Sequence, residues 1–460
     1  MSTTIIAEKP EAANRIYTIL SKIKPVEVKA AKGHLMQLWI RGIDSVKRID
    51  QLPLSEVYWR IPRACKGILE DIRTSILVAT NTIIATDFDR EGEVIGYNVY
   101  RYVLNSRKYY PLYDVNPSRI RRMYFSALIE SEIIDSFQNV EQMNEKLLAQ
   151  GLGRNLADTL FGLNITKAIT IRFKRIYPKL TQAISLGRVQ SPVLLYIRDQ
   201  ARADINISKP RFFEYKDDVY EYYIEVNGGY YRLDLPEDIN IDSDYVEILN
   251  VRRELHEEQQ SKPFFNTDDI LQSSPFSPEV TMQILESLYL KGYATYPRTQ
   301  SRFVPQGILD NIIQRLRKYN ILPNGFSAEY LHPESREQTD KKMAIILTPE
   351  GIDAYANKKL SGREKILATI ILERMILALA PPLHVESIYI NIRIDNLMHE
   401  VLWTENITNP EVCCDTKSIE LRPDINPGKY PLVKIVKKQH ERTIFSVCLL
   451  YTSPSPRDRG

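Results

Sequence analysis

Asp87, Asp89 and Glu91 alternate in the segment Ala85-Thr86-Asp87-Phe88-Asp89-Arg90-Glu91-Gly92-Glu93. On an extended backbone, alternate side chains share a face, so three carboxylates could converge on one point. They would repel one another without a cation, and hard carboxylate oxygens suit Mg²⁺. A bare acidic triplet can equally be an exposed turn. Here an apolar run precedes it and a helical pattern follows, which favours a built site. Glu8-Lys9 follows the first apolar run, Thr3 to Ala7. In a parallel sheet the strand carboxyl ends lie along one edge. Glu8 could therefore join the acids there, and Lys9 could bind a phosphate.

A second chemical candidate lies at Tyr293-Ala294-Thr295-Tyr296-Pro297-Arg298-Thr299-Gln300-Ser301. Most of the 27 tyrosines must be packing residues. Tyr296 differs in having Arg298 two positions on, with Thr299 and Ser301 as further hydrogen-bonding groups. A phenol titrates near pH 10 and needs adjacent positive charge to act as a nucleophile near neutrality. A third candidate, Ser185-Leu186-Gly187-Arg188-Val189-Gln190-Ser191-Pro192, reads as a helix start with Ser185 as N-cap. A helix N-terminus with an arginine nearby cradles phosphate well, although an ordinary capped helix has the same spacing.

The elements needed to position these groups are legible in outline. Residues 74–79 and 82–86 read as buried strand, because Ile, Val, Leu and Ala run together without alternating. Val94, Ile95, Val99 and Val103 then set a helical period. Strand, acidic turn and helix together are an α/β signature. Residues 145–172 and 186–203 read as helices, and 211–251 as short antiparallel strands. Helices return at 278–291, 307–319 and 362–379, and strands at 386–394 and 430–447. That order implies a helical unit inserted into a β unit.

The 460 residues suggest about three domains. With 43% hydrophobic and 26% charged residues, the chain is an ordinary globular one, not a disordered or collagen-like one. There is no 18-residue apolar window for a membrane span, and the first residues do not form a secretory signal. Four cysteines, Cys65, Cys413, Cys414 and Cys448, contain no CxxC pair and read as cytosolic thiols. A net charge of +3 is too small to name a partner, but residues 167–211 hold ten Lys/Arg and two acids. Phe173, Tyr177 and Tyr196 interleave them, as suits a nucleic-acid backbone. A solvated helix face would have the same charge.

Taken together and in order, these segments resemble the type IA DNA topoisomerases, of the archaeal topoisomerase I/III kind. The resemblance runs from Thr3 to Val447. It rests on IIAEKP, Gly33-His34-Leu35, ATDFDREGE, and Arg122 with Phe125-Ser126-Ala127-Leu128. LAQGLGRNLADTLFGLNIT at 148–166, SLGRVQSP and TYPRTQS complete it. It implies an α/β Toprim domain followed by a multi-domain toroidal core of helical and β domains. The implied parts are a Toprim domain at 1–145 and a helical DNA-binding domain beginning at 146–208. A β-rich gate domain would follow at 209–262 and resume at 384–447, flanking a helical domain at 263–383 that carries Tyr296.

The resemblance also implies roles. Tyr296 would attack a phosphodiester of single-stranded DNA, leaving a 5′-phosphotyrosine and a free 3′-hydroxyl. Glu8 would assist proton transfer at that hydroxyl, while Lys9 and Arg298 would stabilise charge on the phosphate. Asp87, Asp89 and Glu91, with Glu8, would hold Mg²⁺, needed chiefly for resealing. Arg154, Asp158, Arg188 and Gln190 match positions that contact or shape the DNA strand, and Ser185, Ser191, Thr299 and Lys342 would join them. The implied enzyme is a cytoplasmic, nucleoid-associated monomer that relaxes negative supercoils. No nucleotide is needed, and the chain has no GxxxxGK[ST] loop.

Two departures bear on the expectation. Lys342-Met343-Ala344-Ile345-Ile346-Leu347-Thr348 stands where the family has H-x-A-I-x-P-T, so a lysine replaces the histidine. It can contact phosphate but cannot readily exchange protons near pH 7. Cys448 to Asp458 reads CLLYTSPSPRD, which resembles the in-frame translation of a transposon adapter. The natural chain is therefore expected to continue beyond Val447, with 448–460 foreign to the fold. The competing readings are a Toprim nuclease or primase, which needs the acids but not Tyr296, and an inactive fragment that binds single-stranded DNA.

Overall fold

The computed structural model describes residues 3–105, 109–207, 219–235, 241–258, 261–338, 342–395, 397–406 and 425–437. The expectations for 208–218, for 438–447 and for 448–460 lie outside these residues, as do Cys413, Cys414 and Cys448.

The chain opens with β1 (Thr3–Ala7), α1 (Pro10–Leu20) and β2 (Val26–Ala30). A hairpin of β3 (Gln37–Ile40) and β4 (Val57–Arg60) follows, then α2 (Lys66–Val78), β5 (Asn81–Ala85) and α3 (Arg90–Leu104). Short strands β6 (Tyr109–Tyr110), β7 (Arg121–Arg122) and β8 (Glu141–Gln142) bracket α4 (Glu130–Gln138). The main sheet has the order β2-β1-β5-β7-β8. β1 is parallel to both β2 and β5. Every residue of β1 is buried, which explains its uninterrupted apolar run. The register pairs Ala7 with Ala85, so Glu8 and Asp87 leave the sheet at the same edge.

One sequence expectation fails here. Residues 74–78 are the last turns of α2 and not a strand. Leu69, Ile72, Ser75 and Ile76 face the core at helical spacing, whereas Leu77 and Val78 are exposed. A short apolar run cannot by itself distinguish a strand from one side of a helix.

The long helix α5 (Glu145–Ile176) packs its first half against α3. It is followed by α6 (Gln190–Ile207), β9 (Val219–Val226), β10 (Gly229–Leu233) and β11 (Tyr245–Glu258). A helical unit comes next: α7 (Thr267–Ser273), α8 (Pro278–Leu290), α9 (Gln306–Lys318), α10 (Pro349–Ala356) and α11 (Gly362–Leu377). It has its own core, built on Leu285, Leu288, Leu316, Leu367 and Ile371. The chain then returns as β12 (Leu383–Ile394), β13 (Leu397–Asn406) and β14 (Gly428–Lys437). These join the earlier strands in one antiparallel sheet, ordered β10-β9-β14-β11-β12-β13. Strands from both sides of the helical unit thus share a core around Ile224, Ile388, Ile390 and Trp403. The sequence reading had no counterpart for β13, α7 or α10.

Candidate functional site

The sheet edge where β1 and β5 end builds half of the site. Asp89 is the N-cap of α3, and its Oδ1 accepts from the Gly92 N–H at 2.8 Å. The acidic segment therefore turns into a helix after Asp89. Asp87, Asp89 and Glu91 do not share one extended face, contrary to the expectation from their alternation, because Glu91 is already helical. Gly92 is obligatory at this turn, because a Cβ there would lie 2.1 Å from the Asp87 carbonyl oxygen. Behind the turn, the buried Arg122 guanidinium donates to the carbonyls of Thr86 (2.7 Å) and Asp87 (2.8 Å). It also pairs with buried Glu93 at 3.3 Å. Arg122 thus fixes the backbone that carries Asp87, a positioning role that residue type alone does not reveal.

The helical unit builds the other half. Ser277 caps α8 through the Val280 N–H, with Pro278 at its first position. The helix ends at Gly292, which takes φ +73°, a conformation glycine adopts at little cost. The chain then runs extended beside the Lys342–Thr348 segment. Ala294 bridges Leu347, and the Thr295 N–H donates to the Ile346 carbonyl at 3.1 Å. Ser126, from the first unit, locks this strip in place. Its carbonyl accepts from the Tyr296 N–H at 2.7 Å, and its hydroxyl accepts from the Met343 N–H at 3.3 Å.

The two halves meet at Tyr296, which is buried at 5% exposure. Its hydroxyl donates to Asp89 Oδ2 at 2.6 Å. Arg298 approaches the same oxygen at 3.7 Å. Lys9 Nζ lies 3.0 Å from Asp87 and 3.9 Å from Glu8, and bridges to Glu286 of α8 at 2.5 Å. Glu286 was not anticipated. Nothing in its local sequence marks it, since only the packing of α8 brings it to Lys9. Lys342 Nζ donates to the Arg298 carbonyl at 3.3 Å and stands 6.0 Å from the Tyr296 ring centre. Glu8, Lys9, Asp87, Asp89, Tyr296, Arg298 and Lys342 are therefore gathered at one place.

Glu91 faces away from Tyr296, toward His34 (3.0 Å) and Arg154 (3.4 Å). Arg154 also contacts Asp158 at 3.5 Å, and Asp158 contacts Arg188 at 2.9 Å. This ladder of ion pairs runs from the acidic turn to the start of α6. Gln190 and Ser185 are exposed there, beside half-buried Ser191. Ser185 does not cap the helix, which begins at Gln190. An earlier start would put Pro192 in the helix interior, where its ring clashes with the carbonyl four residues back. The segment is instead clipped to α5, with the Leu186 N–H donating to Thr166 and the Ile184 N–H to Thr170, both at 3.0 Å. Thr299 is buried, and its hydroxyl accepts from the Ser301 N–H at 3.0 Å. It shapes the Tyr296 loop and does not face outward. Phe173, Tyr177 and Tyr196 are exposed, as base-stacking side chains would be.

The electrostatics are those of a crowded acidic pocket with cations built into it. Burial, with Asp87 beside it, pushes the Glu8 carboxyl up to about 8. Burial also raises Asp87. For Asp89, burial is outweighed by Arg298 and by the hydrogen bonds from Tyr296 and Gly92, so its carboxyl is held below the usual range. Burial opposes the Lys9 charge, but Asp87, Glu8 and Glu286 more than compensate, and Lys9 stays protonated. Burial, then Asp89 and Asp87, drives the Tyr296 phenol well above its ordinary value, and Arg298 only partly offsets them. The carboxylate that accepts the hydrogen bond of the Tyr296 hydroxyl is Asp89.

Among the described residues, no three His, Cys, Asp or Glu side chains already stand as a metal cage. Lys9 lies between the carboxylates and supplies the positive charge. The donor chemistry nonetheless suits a hard cation, because Asp87 and Asp89 are buried with half-buried Glu8 beside them.

Comparison with known proteins follows the same division of the chain. A Toprim domain model matches residues 3–128, and a DNA topoisomerase model matches residues 142–409. DNA topoisomerase 1 of Pyrococcus horikoshii is 28% identical over 68% of this chain and 49% of its own length. DNA topoisomerase 1 of Archaeoglobus fulgidus is 26% identical over 83% of this chain and 59% of its own. DNA topoisomerase 3 of Staphylococcus aureus is 26% identical over 96% of this chain and 65% of its own. The chain thus spans between half and two thirds of the length of these relatives. The structure of full-length topoisomerase I from Thermotoga maritima aligns with 98% of this chain and 74% of that one, at TM-score 0.70 and 18% identity. This last likeness is one of fold. Among the described residues, no helix is long and apolar enough to cross a membrane.

Proposed function

The chain belongs to the type IA DNA topoisomerases, and from that premise we propose that it breaks one DNA strand through Tyr296 and reseals it after strand passage. The observation that carries the proposal is the Tyr296 hydroxyl at 2.6 Å from Asp89, with Arg298 at the same carboxylate. A Toprim nuclease or primase would not need a second unit delivering a tyrosine to its acids.

Cleavage then follows from the charges. Asp89, held ionised, accepts the Tyr296 proton as the phenol oxygen attacks phosphorus. Arg298, Lys9 and Lys342 stabilise charge on the non-bridging oxygens. Glu8, protonated at neutral pH, gives its proton to the departing 3′-oxygen. Resealing is the reverse, with the 5′-phosphotyrosine conserving the bond energy, so no nucleotide is consumed. Glu8, Asp87 and Asp89, with Glu91 at the side, would hold Mg²⁺. When bound, that ion would offset phosphate charge and orient the 3′-hydroxyl for resealing. The single strand is read as running along the exposed basic and aromatic face of α5 and α6, past Arg188, Gln190, Ser185 and Ser191. Arg154 and Asp158 would link that face to the acids. We read the enzyme as a monomer on negatively supercoiled, nucleoid DNA, divided at the boundaries read from sequence.

The test is covalent capture. A 3′-labelled single strand is incubated with the protein and the reaction is quenched with denaturant. Label should stay on the wild-type chain through the captured 5′-phosphate. Tyr296→Phe should bind the strand but trap no label. Label on the Phe variant would assign the nucleophile elsewhere.

A further inference from the structure

Tyr289 lies in the last turn of α8, seven residues before Tyr296, and its side chain is fully buried. The two rings pack edge to face, with centres 5.2 Å apart and planes at 72°. Buried phenols normally find a hydrogen-bond partner. Among the described residues, the Tyr289 hydroxyl has none. A phenylalanine would fill the same space without a stranded hydroxyl, so packing does not account for the oxygen.

The surroundings of that hydroxyl suggest what it is for. Tyr289 packs in one buried cluster with Ala7 and Ala85, the strand-end residues that lead directly into Glu8 and, through Thr86, Asp87. Tyr296, by contrast, is bonded directly to Asp89. Tyr296 is thus held at Asp89, and Tyr289 packs behind its ring against the strand ends that carry Glu8 and Asp87. In-line displacement at phosphorus puts the attacking and leaving oxygens on opposite sides. With Tyr296 attacking from the Asp89 end, the leaving oxygen lies toward Glu8 and Asp87.

We propose that Tyr289 is a second catalytic tyrosine, whose hydroxyl donates a hydrogen bond to the departing 3′-oxygen of the cleaved strand. This rests on the cleavage reading above. The bond from Tyr296 Oη to phosphorus forms and the bond from phosphorus to the 3′-oxygen breaks. The electron pair stays on the 3′-oxygen, which takes the Glu8 proton, while Asp89 takes the Tyr296 proton. Tyr289 keeps its own proton throughout and lowers the charge on the leaving oxygen only by donation. Access for the strand requires the first unit and α8 to part around Lys9–Glu286, which Tyr296 requires as well.

The test uses the full chain and Tyr289→Phe. The thermal midpoint of the variant should equal or exceed that of wild type, because the hydroxyl removed is unpaired. At saturating DNA, covalent adduct formation should slow by about tenfold or more with strand affinity unchanged. A strand carrying sulfur in place of the bridging 3′-oxygen at the mapped cleavage site separates chemistry from packing, since a thiolate departs without a donor. On that strand the variant should match wild type. Equal rates on the oxygen strand would overturn the proposal, as would the same deficit on both strands or a lowered midpoint. Label trapped by Tyr296→Phe, or no label trapped by wild type, would overturn the cleavage reading itself and the proposal with it.

Discussion

Glu8 gives the most quantitative test of the site. Its carboxyl is pushed up to about 8 by burial and by Asp87, so it should act as a proton donor at neutral pH. A group with that value is about 90% protonated at pH 7 and about 9% at pH 9. An ordinary glutamate near 4.3 would be protonated well below 1% at pH 7. In the proposed mechanism the proton acceptor for Tyr296 is Asp89, whose carboxyl is held below its usual range, so that half of the reaction would need no rise in pH. Adduct formation, measured with 3′-labelled strand and a chelator present, should therefore fall about tenfold between pH 7 and pH 9. Glu8→Gln should lose about 10²- to 10⁴-fold in rate and show no falling limb. Mg²⁺ favours the ionised form of any carboxylate that holds it, so adding the ion should move the wild-type limb to lower pH. A wild-type rate that stays level from pH 7 to 9 would refute the argument. It would mean that free phenolate is the nucleophile and that its gain with pH cancels the loss at Glu8.

Other expectations follow from the same geometry. Replacing both Asp87 and Asp89 with alanine should abolish Mg²⁺ binding, read by titration calorimetry, and slow both adduct formation, which loses its proton acceptor, and resealing, while sparing single-strand affinity. Arg188→Ala should weaken strand binding and reduce the slope of log affinity against log salt by about 0.7; an unchanged slope would mean that Arg188 touches no phosphate. Gly92→Ala puts a Cβ 2.1 Å from the Asp87 carbonyl. It should lower the unfolding midpoint by the equivalent of about 1–3 kcal/mol and slow adduct formation, both measurable on one preparation.

Much of the chemistry could be read along the chain because it is carried by short ordered segments. IIAEKP and ATDFDREGE each join a buried strand to polar residues at its carboxyl end, and the Ala7–Ala85 register aligns those ends. Periodicity was sufficient for α8, α9 and α11, each of which has one buried face, and for α3, which is buried along most of its length. It failed at residues 74–78, where a few apolar residues at the end of α2 mimic a strand. It also failed at Ser185, where Pro192 delays the helix to Gln190.

The residue types, their order and the strand-end placement of Glu8, Lys9, Asp87 and Asp89 were thus determined by local sequence. Backbone geometry and short-range packing act over a few residues, and a sequence records them directly. Partner choice and protonation state were decided only by the tertiary structure. Lys9 reaches Glu286 across 277 positions of chain, the difference between residue numbers 9 and 286. Tyr296 meets Asp89 across 207. The adjacent charge of Arg298 is legible in the sequence, but the burial and the acidic neighbours that raise the Tyr296 phenol are not. Those effects depend on how much solvent is excluded and which charges lie within a few ångströms, and both are set by how the units of the chain close on one another.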